Sequence, residues 1–140
     1  MLFTIALLCS LMLDQNATIQ LEISNIRETK GKIRVGLFKD GDGFPDQGKV
    51  LWSKGFDPQT GKISVQIPDL LFGDYAIAVF HDLNGNGKLD RNMLGIPSEP
   101  YGFSGKASGK WSAPVFEDAR ISLSEKTVFQ RIELFFWSER

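Results

Sequence analysis

Residues 73–80 read Gly73-Asp74-Tyr75-Ala76-Ile77-Ala78-Val79-Phe80. Gly73-Asp74 is a turn signal, and everything from Tyr75 to Phe80 is apolar. A half-buried strand alternates apolar with polar side chains, so an unbroken apolar run of this length predicts a central strand covered on both faces. On its N-terminal side, Ile63, Val65 and Ile67 alternate with Lys62, Ser64 and Gln66 until Pro68 stops the pattern. Further upstream, Ile19, Leu21 and Ile23 alternate with Gln20, Glu22 and Ser24. Ile33, Val35 and Leu37 repeat that pattern after the polar connection Arg27-Glu28-Thr29-Lys30-Gly31, which predicts a hairpin.

Downstream, Arg120 to Leu123 is a short strand with Ile121 and Leu123 inward. Val128, Ile132, Leu134 and Phe136 mark a last strand from Val128 to Trp137. Its end, Leu134-Phe135-Phe136-Trp137, is apolar on both faces, so it is expected to be central or covered at its edge, because bare apolar edges invite aggregation. A homodimer through this strand is one way to cover it; a monomer is the other expectation. No long stretch has helical periodicity. The fold class is therefore all-β: an antiparallel β-sandwich of about seven strands, transthyretin-like or immunoglobulin-like, with a small barrel as the alternative.

The 140 residues, 42% hydrophobic and 24% charged, fit one domain with a real core. Sixteen Lys and Arg stand against seventeen Asp and Glu. That balance argues against a nucleic-acid partner, which requires a basic face to neutralise phosphates. Leu2 to Leu13 is an almost unbroken apolar run, short of the about 20 residues that span a membrane. It matches the apolar core of a signal peptide, although no Lys or Arg precedes it. The chain is thus expected to comprise a signal peptide, 1–17, ending at Ala17, and one domain, 18–140, secreted or periplasmic, with no membrane insertion of the mature part. Losing 1–17 removes Asp14 and the single cysteine, Cys9, and leaves sixteen bases against sixteen acids. Thiol chemistry, disulfides and Cys-ligated zinc leave with it.

After the central strand comes His81-Asp82-Leu83-Asn84-Gly85-Asn86-Gly87-Lys88-Leu89-Asp90-Arg91-Asn92. Asp82, Asn84, Asn86 and Asp90 occupy positions 1, 3, 5 and 9 of a calcium loop, and Gly87 takes the sharp turn at position 6. The carbonyl of Lys88 would add an oxygen. Position 12 is Met93, which is no carboxylate, and no helix enters the loop, so this is not an EF-hand. Glu99, Glu117 or Asp118 is needed to complete a calcium shell. The competing reading is a metal-free turn in which Asn and Asp side chains bond the backbone. Asp40-Gly41-Asp42-Gly43 is half such a loop, broken by Phe44-Pro45, and reads as a solvated turn.

Residues 91–118 form a long loop without strand pattern, expected to be ordered because it carries Tyr101, Phe103, Trp111 and Phe116. Tyr101, Phe103 or Trp111 would either stack on a sugar or peptide ligand or tuck inward to pin the loop. His81, at a strand end beside Asp82, is a candidate general base or metal ligand, and equally a satisfied structural group. With no second His, a multi-His zinc site is excluded.

The blocks 73–90 and Leu94-Gly95-Ile96-Pro97-Ser98-Glu99-Pro100-Tyr101-Gly102-Phe103-Ser104 resemble a family of exported bacterial proteins, domain of unknown function 2141. The likeness continues through Ala113 to Ala119 and back to Lys32–Phe38, covering roughly residues 19–137. It implies a secreted or periplasmic sandwich, similar in outline to transthyretin-like and carboxypeptidase-regulatory-like domains. The family has no assigned activity, so no catalytic residue follows from it. The expected function is a non-enzymatic exported module with a calcium loop at 82–90, no organic cofactor, and an unidentified protein or small-ligand partner. The alternative is a metal-dependent hydrolase, or a carbohydrate- or peptide-binding module, using His81 and the 93–118 segment.

Overall fold

Alternation builds the strands, and a computed structural model describes them for residues 16–39, 44–45, 49–107 and 114–139. In chain order these are β1 (Asn16–Ile26), β2 (Lys32–Lys39), β3 (Trp52–Phe56), β4 (Gly61–Leu71), β5 (Gly73–Asp82), β6 (Tyr101–Phe103), β7 (Arg120–Leu123) and β8 (Thr127–Glu133). Beside the strands stand one helical turn, α1 (Phe116–Ala119), and a 3-10 turn at Trp137–Glu139. Among the described residues no helix is long and apolar enough to cross a membrane.

The strands divide into two sheets. One has the order β4-β1-β8; the other runs β3-β2-β5-β6, with β7 sharing the outer edge of β5. Ile19, Leu21 and Ile23 of β1 face Ile33, Val35 and Leu37 of β2 and Tyr75, Ile77 and Val79 of β5 within one hydrophobic core. Full burial of an aliphatic side chain contributes about 1.5–3 kcal/mol, so the alternating rows of these three strands dominate stability. β5 is paired along both edges, to β2 on one side and to β6 and β7 on the other. That is the central place its apolar run predicts.

The expected hairpin of the first two strands does not form: β1 and β2 lie in different sheets. Positive φ at Asn25 and Gly31 (62° and 72°) turns the connecting chain out of one sheet and into the other. A Cβ on Gly31 would overlap the Asp82 carbonyl oxygen, so this crossing requires glycine. Alternation says which side of a strand is buried and nothing about which strand it pairs with.

Nor is the structure wholly antiparallel, for β8 pairs with β1 in parallel from Thr18↔Thr127 to Ser24↔Glu133. Pro68 does not stop β4. The pairing steps from Ile19↔Ile67 to Ala17↔Leu70, so Pro68 and Asp69 fall in a bulge on an edge strand, where a missing N–H is tolerated.

The last strand is shorter than expected, ending at Glu133. Leu134 still donates to the Ser24 carbonyl at 3.0 Å, and Phe135 then exchanges backbone hydrogen bonds with Tyr101 of the other sheet at 2.8 and 3.1 Å. The doubly apolar tail thus bridges the two sheets at one side. Gly102 makes the bridge close, since a Cβ there would stand 2.6 Å from Ile132 Cγ2. β3 and β6 are additional to the strands the pattern predicts. Ala17, the expected end of the leader, is the second residue of β1 and is buried.

Candidate functional site

β5 delivers its last two residues to opposite faces of the sheet. His81 continues the inward row of Tyr75, Ile77 and Val79, and its Nε2 lies 2.8 Å from the Lys30 carbonyl oxygen. Asp82 leaves on the outer face. The two side chains therefore do not meet, and His81 serves to join β5 to the connection ahead of β2.

Asp82 is fully buried, at 0% exposure. Its Oδ2 accepts from Arg34 Nε at 3.0 Å and from the Gly87 N–H at 2.8 Å, while Oδ1 accepts from the Asn86 N–H at 3.1 Å. A buried charge requires a countercharge or several donors, and Asp82 has both. Arg34 has no place in the calcium-loop pattern. It was reachable from sequence only as an outward-facing cation on β2, and its pairing depends on the β2–β5 register.

From Asp82 the chain winds back on itself. Gly85 and Gly87 sit at φ 70° and 78°, the left-handed region that glycine enters freely. Asn84 Oδ1 accepts from the Asn86 N–H at 3.2 Å, and Asn86 Oδ1 accepts from the Lys88 N–H at 2.9 Å. Both amide groups also turn toward Asp90: Asn84 Nδ2 donates to Oδ2 at 2.6 Å and Asn86 Nδ2 to Oδ1 at 2.7 Å. Asn84, Asn86 and Asp90 meet directly, and Asp82 joins them through the Asn86 N–H. The Lys88 side chain is exposed.

Glu99, 5% exposed, closes the loop. Its Oε2 accepts from the Leu83 N–H at 2.7 Å and its Oε1 from the Asp90 N–H at 2.9 Å, so one carboxylate ties both ends. Ser98 adds two bonds to the Asp90 carbonyl, from its N–H at 2.9 Å and its Oγ at 3.1 Å. Of the three acids considered for this place, Glu99 is the one at the loop; Glu117 pairs with Arg120 at 3.3 Å, and the Asp118 carbonyl accepts from Lys106.

Three carboxylates thus hold the loop, and Arg34 is the single cation paired with any of them among the described residues. No three His, Cys, Asp or Glu side chains there come close enough to share a metal ion. A hard cation would draw on Asn84 and Asn86 carbonyl oxygens as well as Asp82 and Asp90. The Asn84 and Asn86 carbonyl oxygens and Asp82 Oδ1 each accept one N–H and keep a second lone-pair direction, whereas Asp82 Oδ2 already accepts from both Arg34 and Gly87. To bind Asp90, the ion would replace the two amide donors that now face it.

The aromatic residues beyond the loop pack against the sheet. Tyr101 is buried and Phe103 half-buried, with ring centroids 5.9 Å apart. Phe44 meets Phe38, Phe103 and Phe116 edge-on at 5.1, 5.9 and 6.2 Å. Ser104 is fully buried at the seam between β6 and β7. Its Oγ accepts from the Ile77 N–H at 2.8 Å and donates to the Ala119 carbonyl at 2.6 Å. Trp111 and the Asp40–Gly43 turn lie outside the described residues.

The family model described as an uncharacterized protein conserved in bacteria (DUF2141) matches residues 21–130, which span β1 through the middle of β8. No curated protein and no solved structure matches the chain.

Proposed function

Because the chain belongs to this uncharacterised bacterial family, which brings no activity with it, we propose a function from the loop itself. The protein is an exported, non-catalytic two-sheet sandwich whose 82–90 loop takes a calcium ion and thereby fixes the segment after it. The observation that carries this reading is the meeting of Asn84 and Asn86 on Asp90, at 2.6 and 2.7 Å, beside the buried Asp82. Two positive-φ glycines make that convergence, and Glu99 anchors both ends. Export is supported by the apolar run Leu2 to Leu13; a leader ending before Asn16 leaves β1 whole.

Calcium takes six to eight oxygens at about 2.3–2.6 Å, and a site with two aspartates and two neutral amides belongs in the weak, extracellular range of about 10⁻⁴–10⁻³ M. Binding to the folded state alone adds about 2.7 kcal/mol at a hundredfold excess over Kd, a rise in Tm on the order of 10 °C for a chain this size. Thermal melts in calcium and in chelator test the reading. A calcium-dependent rise that disappears in Asp90→Ala supports it, and superimposable curves up to 10 mM calcium (an order-of-magnitude excess over the expected Kd) contradict it.

A further inference from the structure

The chain has five asparagines, and two of them, Asn84 and Asn86, are each followed by glycine. In such a pair the peptide nitrogen of the glycine can attack the asparagine amide carbon, because no Cβ on the following residue stands in the way. Asn16, Asn25 and Asn92 precede Ala17, Ile26 and Met93, whose side chains hinder that approach. Both Asn-Gly pairs lie in the exposed part of the 82–90 loop, open to water.

The loop treats the two pairs differently. Each amide oxygen accepts the N–H two residues on, Asn84 Oδ1 from Asn86 at 3.2 Å and Asn86 Oδ1 from Lys88 at 2.9 Å. Such a turn closes a small ring around the intervening peptide. It keeps both amide carbons beside their glycine nitrogens and sets a donor on the oxygen where charge develops. The attacking nitrogens are what differ. Gly87 N–H donates to Asp82 Oδ2 at 2.8 Å, a buried and charged acceptor. Gly85 N–H reaches the neutral Asp82 carbonyl oxygen, at 3.3 Å. A nitrogen must give up its hydrogen bond before it attacks, and a bond to a charged acceptor is about twice as strong as a neutral one. Gly85 is thus loosely held where Gly87 is tied.

We propose that Asn84 is a self-modification site of this loop, converting to aspartate or isoaspartate while Asn86 is protected. A bond forms between Gly85 N and Asn84 Cγ, the Cγ–Nδ2 bond breaks, and the proton released from Gly85 N leaves with Nδ2 as ammonia. Water then opens the cyclic imide. Opening at Cγ restores the ordinary backbone with aspartate, and opening at the main-chain carbonyl leaves isoaspartate. The net change is one water taken up and one ammonia lost, with no oxidant or reductant. Aspartate at position 84 replaces the Nδ2 donor that faces Asp90 Oδ2 at 2.6 Å with a carboxylate oxygen. Like charges so close repel, so the converted loop requires a cation more than the original does. That consequence rests on the calcium reading; the conversion itself does not.

The test keeps the full mature chain at mildly alkaline pH in chelator, beside the same chain unfolded in guanidinium. Peptide mass spectrometry follows each asparagine over days, and enzymatic carboxyl methylation identifies isoaspartate. The unfolded chain is expected to convert both Asn-Gly pairs at similar rates. In the folded chain Asn84 should convert at least about tenfold faster than Asn86. Gly85→Ala places a Cβ in open space and should slow Asn84 severalfold. If alanine at φ 70° loosens the loop, Asn86 speeds up and reports it, and the unaltered chain alone decides. Equal rates in the folded chain, faster conversion at Asn86, or an inert Asn84 while the unfolded chain converts overturns the proposal. Thermal melts of Asn84→Asp in calcium and in chelator keep the two readings apart. Conversion of Asn84 with superimposable melts upholds the modification and contradicts the calcium reading. An inert Asn84 with a calcium-dependent rise in Tm does the reverse.

Discussion

Arg34 Nε stands 3.0 Å from Asp82 Oδ2, joining an outward-facing cation of β2 to the fully buried first acid of the 82–90 loop. The Arg34 side chain is about one-third exposed and that of Asp82 is not exposed at all (35% and 0%), so the pair straddles the boundary between solvent and interior.

Asp82→Ala leaves three donors around an emptied buried position: Arg34 Nε and the N–H groups of Asn86 and Gly87. It should cost about 3–5 kcal/mol in urea unfolding, the scale for breaking a buried charged network. Arg34→Met should cost less, because Asp82 keeps two backbone donors and Arg34 is partly in water, where screening weakens the pair. A loss under 1 kcal/mol for Asp82→Ala would show that the network is not what holds the loop.

Glu99→Gln tests the tie between the two ends. A glutamine presents one acceptor oxygen and one donor, so one of the Leu83 and Asp90 N–H groups meets an N–H instead of an oxygen. Stability should fall by about 1–3 kcal/mol. Hydrogen exchange should quicken at Leu83 and Asp90 while Ile77 and Val79 in β5 stay protected. Uniform loss of protection would instead make Glu99 a residue of global stability with no local role.

Much of this architecture is legible in the chain, and the limits are physical. The doubly apolar Tyr75–Phe80 run reports a central strand because its burial is local information, and the same holds for the alternating rows of β1, β2, β4 and β7. Pairing is not local: nothing in Ile19-Leu21-Ile23 says that β4 and β8 flank β1 and that β2 lies across the core. Pro68 reads as a stop because a bulge cannot be seen until the register is known. At the site, the spacing of 82, 84, 86 and 90 suffices to bring those side chains round one loop. The part played by Arg34 depends on the β2–β5 register, and Ser104's depends on the meeting of β6 and β7 at β5.

At the C-terminal end, Arg27 grips Glu139 through two bonds of 2.6 and 2.7 Å while its guanidinium carbon lies 4.2 Å above the Phe136 ring. The hydrogen bonds from Arg27 hold the Glu139 carboxyl below its ordinary value, and the same bonds raise Arg27. A depressed carboxylate contributes stability that is complete above its unfolded pKa and is lost as pH falls through the folded value. The 3-10 turn at Trp137–Glu139 should therefore loosen only on acidification below about pH 4.5, the ordinary value for glutamate. The Trp137 indole resonance followed against pH reads this directly. Glu139→Gln should abolish that acid step, and an unchanged step in the variant would assign the titration to another group.

The most direct measurement is a crystal structure of the mature chain grown with saturating calcium. The account predicts an ion within about 2.3–2.6 Å of Asp82, Asn84, Asn86 and Asp90 oxygens and of the Lys88 carbonyl, with the two amide nitrogens displaced from Asp90. Density showing Asn84 and Asn86 still donating to Asp90, with no ion among them at saturating calcium, would contradict it.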